Sequence, residues 1–473
     1  MRRITAIIAI MLFLFTVSVE AQDYKMDIKL RDQGFELVKK TKGVYEDSAM
    51  TAYINKVGQK LVAQLDTVRF EYKFFIVNQA APNAFALPGG YIFITTGIIP
   101  IIENEDELAC IIGHEIIHSN NRHTVRQLKK RVLPLLLTLP FDIIGATVPG
   151  AGTAVAPIST SRQLLFASYS RKNETEADDQ GVILAAKAGY DPLALPKVLN
   201  RMNKVIKLVY NYTEEKNYFA DHPYTPDRVK NINEQVKGLK VVKSQVVSDK
   251  FLYEFKGLTY GKSPNQGIIR DHAFLHPDLD FYIEYPDDWT INNMDTAVVA
   301  NSSYKDAAVA LSIEKPGKTA EQTGKEYVNG LSKKYKKILK KADVFKVNDT
   351  EGYLVSFQEV VFQDTTFAYV LYLKVGDNLF KFTAMSNENH RATLLKIAQS
   401  LRVLTAEEKQ SIFENYLNVV EANEGEKMDE LSKRFDSVIK VDVIRALNDH
   451  EKGDKLKAGE PIKIISKRVY KSK

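Results

Sequence analysis

The residues that most constrain the fold of this chain are the two histidines of His114-Glu115-Ile116-Ile117-His118. On an α-helix, side chains four residues apart lie on one face, so both imidazoles can reach a single cation about 2.0–2.1 Å from each ring. Glu115 is not placed to be a third ligand, but it can accept a proton from water at the metal as a general base. The alternative is a pair of ordinary core or surface histidines. Because the chain has only eight histidines, the motif favours a helix that binds one Zn2+ per chain.

The same segment carries its own signals for the start of a helix. Asn104 followed by Glu107 is typical of a capping box, and the apolar residues after it recur at helical spacing. We therefore predict a helix that begins after Asn104 and runs toward Leu128, with Pro134 as its stop.

A catalytic zinc site needs a third protein ligand and an open position for water. Glu174 is the best candidate, in a segment that is predicted to be helical from 173 to 188. Glu174 and Asp178 are four residues apart and share a helix face, so Asp178 can hydrogen-bond a ligand histidine while Glu174 binds the metal. Glu176 points elsewhere. The alternative is that the segment from Asn173 to Asp178 is only the charged first turn of a helix, without a metal ligand.

Together these motifs resemble the gluzincin zinc metallopeptidases of the HtpX, Oma and CAAX-prenyl-protease type, in a secreted and soluble form. The resemblance covers roughly residues 25–240 and includes Asn83 to Gly90, His222-Pro223 and Arg228. It implies a zinc endopeptidase in which Glu174 completes the metal site and Glu115 activates water. It also implies that 83–87 is an edge strand to which a substrate peptide adds through main-chain hydrogen bonds. Substrate contacts are therefore assigned to Asn83, Ala84, Phe85 and Arg228.

For two residues in the matching motifs, His222 and Arg228, more than one role is possible. In relatives, a histidine that corresponds to His222 lies near the metal, where it can stabilise an oxyanion or occupy the open zinc position in a resting state. The sequence itself indicates only a His-Pro turn before a helix. Arg228 can orient a carbonyl or carboxylate, or pair with Asp227 or Asp178. His123 is predicted to turn away from the metal face and to be structural.

The N-terminal 21 residues are predicted to be a cleaved secretory signal. Arg2 and Arg3 precede an apolar run from 4 to 19, and small side chains flank the expected cleavage site before Gln22. The alternative is a permanent membrane anchor, but the run is shorter than the about 20 residues that span a bilayer. We expect an exported protein, most simply a periplasmic one. The single cysteine, Cys110, excludes an intramolecular disulfide.

The predicted fold class is α+β and multidomain. A zincin-like helical metallopeptidase domain with a small β-sheet is expected over 22–242, with helices across 26–66 and strands at 70–77 and 91–96. An α/β sandwich-like domain over 270–404 resembles the PsbP/Mog type, with strands at 281–285, 308–313, 353–361, 367–375 and 379–384 and helices near 320–339 and 391–401. A small module over 405–473 resembles a degenerate LysM module, in which Glu426 replaces the customary Asp.

Two further segments have more than one interpretation. The apolar stretch 134–158, dense in Pro and Gly, can be a buried hairpin, a mobile lid or a contact with a membrane surface. Six lysines between Lys333 and Lys341 suggest an anionic-ligand patch. Because Tyr327, Leu331, Tyr335 and Ile338 recur among them at helical spacing, the lysines are better explained as the solvated face of an amphipathic helix.

These features favour a zinc-dependent endopeptidase that hydrolyses peptide bonds of envelope proteins. Its partner is a protein or peptide substrate, and association with the envelope membrane or with peptidoglycan stays open. The formal net charge is only +6 over 473 residues, which excludes a typical nucleic-acid-binding protein. The competing hypotheses are a holdase or adaptor with a closed metal site, and a cell-wall-associated binding protein that depends on the C-terminal module.

Overall fold

A computed structural model describes residues 24–128, 169–210, 218–223, 226–237, 239, 248–294, 296–348, 350–361 and 364–472. The predicted signal at 1–21 and the segment 134–158 lie outside these residues. The chain is a mixed helix-and-sheet protein with two compact units. The first unit comprises Met1–Lys262 and Asn415–Lys467, and the second comprises Ser263–Glu414 and Arg468–Lys473. Within the described ranges, every helix is too short or too polar to cross a bilayer.

The first unit begins with two helices, α1 (24–41) and α2 (Ser48–Val62). The prediction of unbroken helical sequence across 26–66 is wrong between them. Gly43 has a φ of 75°, a left-handed conformation that ends a helix, and the main-chain N–H of Tyr45 donates to the carbonyl of Ile76. Asp47 then starts α2 by accepting a hydrogen bond from the N–H of Met50.

A small three-stranded sheet follows, which confirms the strands predicted here. Its strands are β1 (Lys73–Val77), β2 (Ala84–Ala86) and β3 (Tyr91–Thr95). The order is β1-β3-β2, with β3 parallel to β1 and antiparallel to β2. The short strand β2 therefore lies at an edge of this sheet.

Most of the described residues between β3 and Glu254 are helical. The helices are α3 (Glu105–Asn120), α4 (described over 123–128), α5 (Arg171–Lys187), α6 (Ala194–Tyr210), α7 (Tyr218–Asp221), α8 (Pro226–Val236) and α9 (Ser248–Glu254). The predicted start of α3 is confirmed, because the Asn104 side chain accepts a hydrogen bond from the N–H of Glu107. The helix does not continue to Leu128, however. It ends at Asn120, and Arg122, with a φ of 59°, turns the chain into α4.

Helices α3 and α5 approach each other closely because each carries a glycine at the contact. A methyl group at Gly181 would lie only 3.1 Å from the main-chain nitrogen of His114, and one at Gly113 would lie 3.2 Å from the carbonyl oxygen of Gly181. Side chains at either position would hold the two helices apart. The two glycines therefore set the distance between the histidines of α3 and the acidic face of α5.

The second unit contains a larger antiparallel sheet. The strands of this unit are β5 (Ile268–Arg270), β6 (Ala273–His276), β7 (Phe281–Glu284), β8 (Thr290–Asn293), β9 (Val298–Asn301), β10 (Ala307–Ile313), β11 (Leu339–Val347), β12 (Thr350–Val361), β13 (Asp364–Val375) and β14 (Asn378–Ser386). Seven of them pair in the order β11-β12-β13-β14-β10-β9-β8, and β5-β6-β7 form a smaller sheet. All five strands predicted in this region are confirmed.

The helices of the second unit cover both faces of the seven-stranded sheet. They are α10 (Ala320–Asn329), α11 (Lys333–Ile338), α12 (Arg391–Ser400) and α13 (Ala406–Gln410). The single helix predicted near 320–339 is in fact α10 and α11, and the chain enters β11 at Leu339. Lys340 and Lys341 are therefore strand residues, so the helical-face explanation of the six lysines is wrong for these two.

Residues 415–467 belong to the first unit. Their elements are β15 (Phe413–Glu421), α14 (Met428–Arg434), α15 (Val441–Leu447) and β16 (Pro461–Val469), and β15 pairs with β4 (Thr259–Tyr260). Buried charges connect this segment to the loop before α3. The fully buried Lys463 ammonium donates to the carbonyl of Ile102 (3.1 Å) and lies 2.8 Å from Glu103.

A second buried cation, Arg201 of α6, completes this network. Its guanidinium donates to the carboxylate of Glu107 (2.6 Å) and to the carbonyl of Ile101 (3.0 Å), and it also pairs with Asp449. Glu107 in turn accepts from the N–H of Glu103 (2.7 Å). The segment 415–467 thus supplies partners for charges that surround the N-terminus of α3.

Candidate metal centre

Four buried side chains converge where α3, α5 and the turn after α7 meet. The Nε2 atoms of His114 and His118 lie 2.9 Å apart. A carboxylate oxygen of Glu174 lies 3.2 Å from Nε2 of His118 and 3.1 Å from Nδ1 of His222. Nδ1 of His222 is also 3.2 Å from Nε2 of His114. One candidate ligand atom from each residue lies within 4.8 Å of all the others.

This arrangement fits a tetrahedral zinc ion. Ligands at about 2.0–2.1 Å from a tetrahedral centre are about 3.3–3.4 Å from one another, which is close to the separations of 2.9–3.6 Å between paired donors here. Three imidazole nitrogens and one carboxylate oxygen are also ligand types that zinc accepts. The structure brings together all three ligands assigned from the sequence, and His222 stands as a fourth donor.

Behind His114, Asp178 and Arg228 form a second layer of contacts. The Nδ1 atom of His114 lies 2.9 Å from the Asp178 carboxylate. The Arg228 guanidinium donates two hydrogen bonds to Asp178, at 2.6 and 2.8 Å, and lies 3.3 Å from Glu174. Of the alternatives left open for Arg228, the pairing with Asp178 is thus present. The buried pair orients both His114 and Glu174.

His118 has a different partner, which the sequence did not suggest. Because α3 ends at Asn120, the chain turns back and Nδ1 of His123 lies 2.9 Å from Nδ1 of His118. Nε2 of His123 lies 3.5 Å from Glu176, which is held by Arg126 at 3.0 Å. His123 is therefore beside the metal site, whereas a continuous helix would have turned it away. The positive φ of Arg122 could not be anticipated, because only glycine and asparagine usually signal it.

Glu115 lies buried beside the four candidate ligands. Both of its carboxylate oxygens are buried and make no hydrogen bond within the described residues, and the nearest imidazole nitrogen, Nε2 of His222, is 3.5 Å away. A buried carboxylate without donors is costly unless another group occupies the space in front of it. This side chain is therefore available to a water or substrate at the centre.

Burial and neighbouring charges shift the pKa values of Glu115 and Glu174 in opposite directions. Burial raises the pKa of Glu115, and the nearby His222 and His114 offset only part of this effect. Burial would also raise the pKa of Glu174, but His222 and hydrogen bonds from His114 and His118 hold it well below its ordinary value. Glu174 is thus ionised, which is the form a metal ligand requires.

The pKa values of the two α3 imidazoles, His114 and His118, are also shifted in opposite directions. Burial holds the pKa of His118 well below its ordinary value, which favours the neutral form that binds metal. For His114, burial acts in the same direction, but hydrogen bonds to Asp178 and Glu174 raise its pKa to about 9. A cation at the centre would take the place of this stabilised proton, because metal binding to imidazole displaces protons.

The predicted substrate strand lies at the edge of the small sheet. In β2, Ala84 and Phe85 pair with β3, and β2 is the end strand in the order β1-β3-β2. The Phe85 side chain stacks on Phe93, with ring centroids 4.9 Å apart. Asn83 is buried and its N–H donates to the Thr95 hydroxyl. The side chains of Asn83 and Phe85 thus pack within the sheet, and their contact with a substrate stays a prediction.

Two tyrosines pack against the site and were missed from the sequence. The Tyr169 ring lies 3.8 Å from the ring of His118, and the Tyr218 ring stacks on His222 at 4.5 Å. The contact of Tyr169 with His118 has no local sequence signal, because the two residues are distant along the chain. Tyr218 and His222 are only four residues apart, a helical spacing that could have indicated their contact. The stacking restricts the imidazole orientations on two sides of the centre.

Comparisons with known proteins agree with this chemistry. Residues 48–236 match the model of Peptidase family M48. The chain is 30% identical over 199 residues to the beta-barrel assembly-enhancing protease of Yersinia pestis, covering 41% of this chain and 40% of that protein. It is 28% identical over 227 residues to the protease of the same name from Escherichia coli, covering 46% of each. It is 34% identical over 170 residues to the mitochondrial metalloendopeptidase OMA1 of Saccharomyces cerevisiae, covering 36% of this chain and 48% of that protein.

These matches confirm the predicted peptidase domain for the matched residues. They span less than half the length of the named relatives. The solution structure of cyanobacterial PsbP from Synechocystis covers 28% of this chain and 91% of its own, with 13% identity and a TM-score of 0.24. A TM-score this low does not establish a shared fold. The resemblances to PsbP/Mog and LysM modules therefore stay predictions.

Proposed function

We propose that this protein is a zinc-dependent metalloendopeptidase whose catalytic domain is zincin-like. The convergence of His114, His118 and Glu174 beside the buried Glu115, whose oxygens form no hydrogen bond within the described residues, carries this proposal. The match of residues 48–236 to a peptidase family supports it independently. We further propose that the protein is exported and acts on envelope proteins, since two of the relatives are named beta-barrel assembly-enhancing proteases.

Each residue of the centre has a role in the proposed hydrolysis. His114, His118 and Glu174 would hold Zn2+, which supplies a Lewis acid that polarises a peptide carbonyl and lowers the pKa of water. Glu115 accepts the proton of the attacking water and returns it to the leaving amine. Asp178 and Arg228 keep His114 and Glu174 in position. The main-chain edge of β2 aligns an extended substrate.

The first expected result concerns metal content. The purified mature protein should contain one zinc per chain, measured by elemental analysis after gentle purification. Glu174→Ala should lower this content strongly, because it removes the only carboxylate among the four donors. Asp179→Ala is the matched control on the same helix, since Asp179 is not among the four donor residues. A zinc content near zero that added zinc does not restore would contradict the site assignment.

His222 supports a second candidate function. Because its Nδ1 atom lies among the other three donors, His222 can close the site, as expected of a holdase or of a peptidase in a resting state. If His222 closes the site, His222→Ala should raise basal cleavage of a flexible substrate. If it stabilises the oxyanion, the same change should lower cleavage about 10²-fold.

Initial rates of the parent and of His222→Ala, compared at equal zinc occupancy, distinguish these two roles. We expect the rate to rise, because the observed Nδ1 position competes with water for the centre. A loss of rate would contradict closure. If neither form cleaves an unfolded protein while both retain zinc, the holdase function is favoured over the peptidase.

A further inference from the structure

The two histidines of α3 that are proposed to bind zinc have different partners at Nδ1. Nδ1 of His114 lies 2.9 Å from the Asp178 carboxylate, and a carboxylate is one of the usual partners of a metal-binding imidazole. Nδ1 of His118 lies 2.9 Å from another imidazole nitrogen, Nδ1 of His123. The rings of His118 and His123 are both buried. The proposed hydrolysis assigns no role to His123.

The short contact between His118 and His123 determines which ring nitrogens carry hydrogen. Of two ring nitrogens 2.9 Å apart, one must donate and the other must accept. If His118 binds metal through Nε2, the atom that lies 3.2 Å from Glu174, its neutral ring carries the hydrogen on Nδ1. Nδ1 of His118 is then the donor and Nδ1 of His123 is the acceptor. The hydrogen of a neutral His123 consequently lies on Nε2.

Nε2 of His123 faces a carboxylate that other groups hold in place. This nitrogen is buried without a hydrogen bond within the described residues, and it lies 3.5 Å from an oxygen of Glu176. The same oxygen accepts a hydrogen bond from the guanidinium of Arg126 (3.0 Å), and the other accepts from the amide of Asn121 (2.8 Å). Glu176 thus presents an acceptor to the ring nitrogen that carries the hydrogen.

The turn that brings His123 to this place is stabilised from another helix. On a continuous helix, His123 would lie about 140° around the axis from His118. Arg122 prevents this with a φ of 59°, a left-handed conformation that is unfavourable for a residue with a Cβ. Its guanidinium pairs with the fully buried Asp27 of α1 at 2.7 Å. An unfavourable conformation that the surrounding structure stabilises beside a metal centre points to a functional role.

We propose that His123 is a positioning residue for the zinc ligand His118. His123 accepts the Nδ1 hydrogen of His118 and directs its own N–H to Glu176. It thereby keeps Nε2 of His118 free of hydrogen and oriented toward the other donors. This inference rests on the proposed zinc site. If His123 only filled space, the site would need the volume of its ring but not an acceptor atom.

The zinc affinity of the full mature chain tests this role without measuring hydrolysis. Equilibrium competition with a chromophoric zinc chelator gives the dissociation constant. His123→Leu approximately keeps the volume of the ring but removes the acceptor, and it should weaken zinc binding about tenfold. His123→Asn is smaller but has an oxygen at the bond position of Nδ1, so it should restore most of the lost affinity. His450→Leu is the matched control, since His450 bonds to Glu460 and is not among the four donor residues.

Glu176→Ala tests the outer half of the same chain of contacts. Glu176 is only partly buried, so its replacement disturbs the packing less than that of His123. Glu176→Ala should weaken zinc binding in the parent protein. It should cause little further loss in the His123→Leu protein, because both changes interrupt one chain of contacts.

Thermal melting of the zinc-free proteins checks that each variant retains the parental fold. The inference is overturned if His123→Leu binds zinc as tightly as the parent, or if His123→Asn binds it more weakly than His123→Leu. Should His123→Leu melt below the parent, Glu176→Ala decides the question, and parental zinc affinity in that variant also overturns the inference. A parent protein that binds no zinc would contradict the metal site itself, which distinguishes failure of the proposed function from failure of this inference.

Discussion

Replacing Glu115 by Gln is expected to lower the rate of hydrolysis of an unfolded protein by about 10³-fold while zinc remains bound. The amide keeps the shape of the side chain, but it cannot accept a proton from water. The loss of rate should come mainly from the lost proton acceptor, because both Glu115 oxygens are buried and form no hydrogen bond within the described residues. The substitution therefore removes a proton acceptor without breaking a hydrogen bond, and its one close charged neighbour is His222 at 3.5 Å.

Hydrolysis should be followed with a fluorescein-labelled unfolded protein, and zinc content should be measured on the same samples. Glu234→Gln is the control, since Glu234 is an exposed residue of α8 with the same chemistry. The control should retain the parental rate. Near-parental turnover by Glu115→Gln at full zinc occupancy would refute the assignment of Glu115 as the base.

The second large effect is expected on the free energy of unfolding when Arg201 is replaced. Arg201→Met should destabilise the first unit by about 3–5 kcal/mol, because it leaves the carboxylate of Glu107 buried without its cation. Burial already raises the pKa of Glu107, and Arg201 is the main group that opposes this effect. The loss also leaves the carbonyl of Ile101 without the hydrogen bond from the guanidinium.

Lys204→Met is the matched control on the same helix. Lys204 pairs with Glu451 at 2.7 Å, but both side chains are exposed, so its loss should cost less than about 1 kcal/mol. Urea unfolding monitored by far-UV circular dichroism would compare the two variants. Trp289 is the single tryptophan and lies in the second unit, so its fluorescence reports that unit separately. Equal unfolding midpoints for the two variants would contradict a stabilising role of the buried network.

Local patterns in the sequence were sufficient for much of the fold. Helical spacing and the Asn104 cap predicted the start of α3, and β-rich, aromatic runs predicted strands in both units. The same spacing explains why His114 and His118 could be assigned to one centre. These inferences succeeded because each depends on residues only a few positions apart, whose relative placement follows from regular backbone geometry.

Features that depend on distant contacts or unusual backbone angles were not predicted. The break between α1 and α2 depends on a hydrogen bond between Tyr45 and Ile76. The place of His123 depends on the left-handed Arg122. The lysines at 340 and 341 fall in a strand because Leu339 and the residues after it pair with β12. In each case a tertiary contact decided the outcome over the local pattern.

The buried charges around α3 also bear on the order in which the protein matures. Glu103, Glu107 and Arg201 precede Asp449 and Lys463 by at least 248 residues along the chain. Until the segment that carries Asp449 and Lys463 folds back, Glu103 lacks the ammonium that the finished protein places beside it. We therefore expect the environment of α3 to be completed only when residues 449–463 have packed beside it.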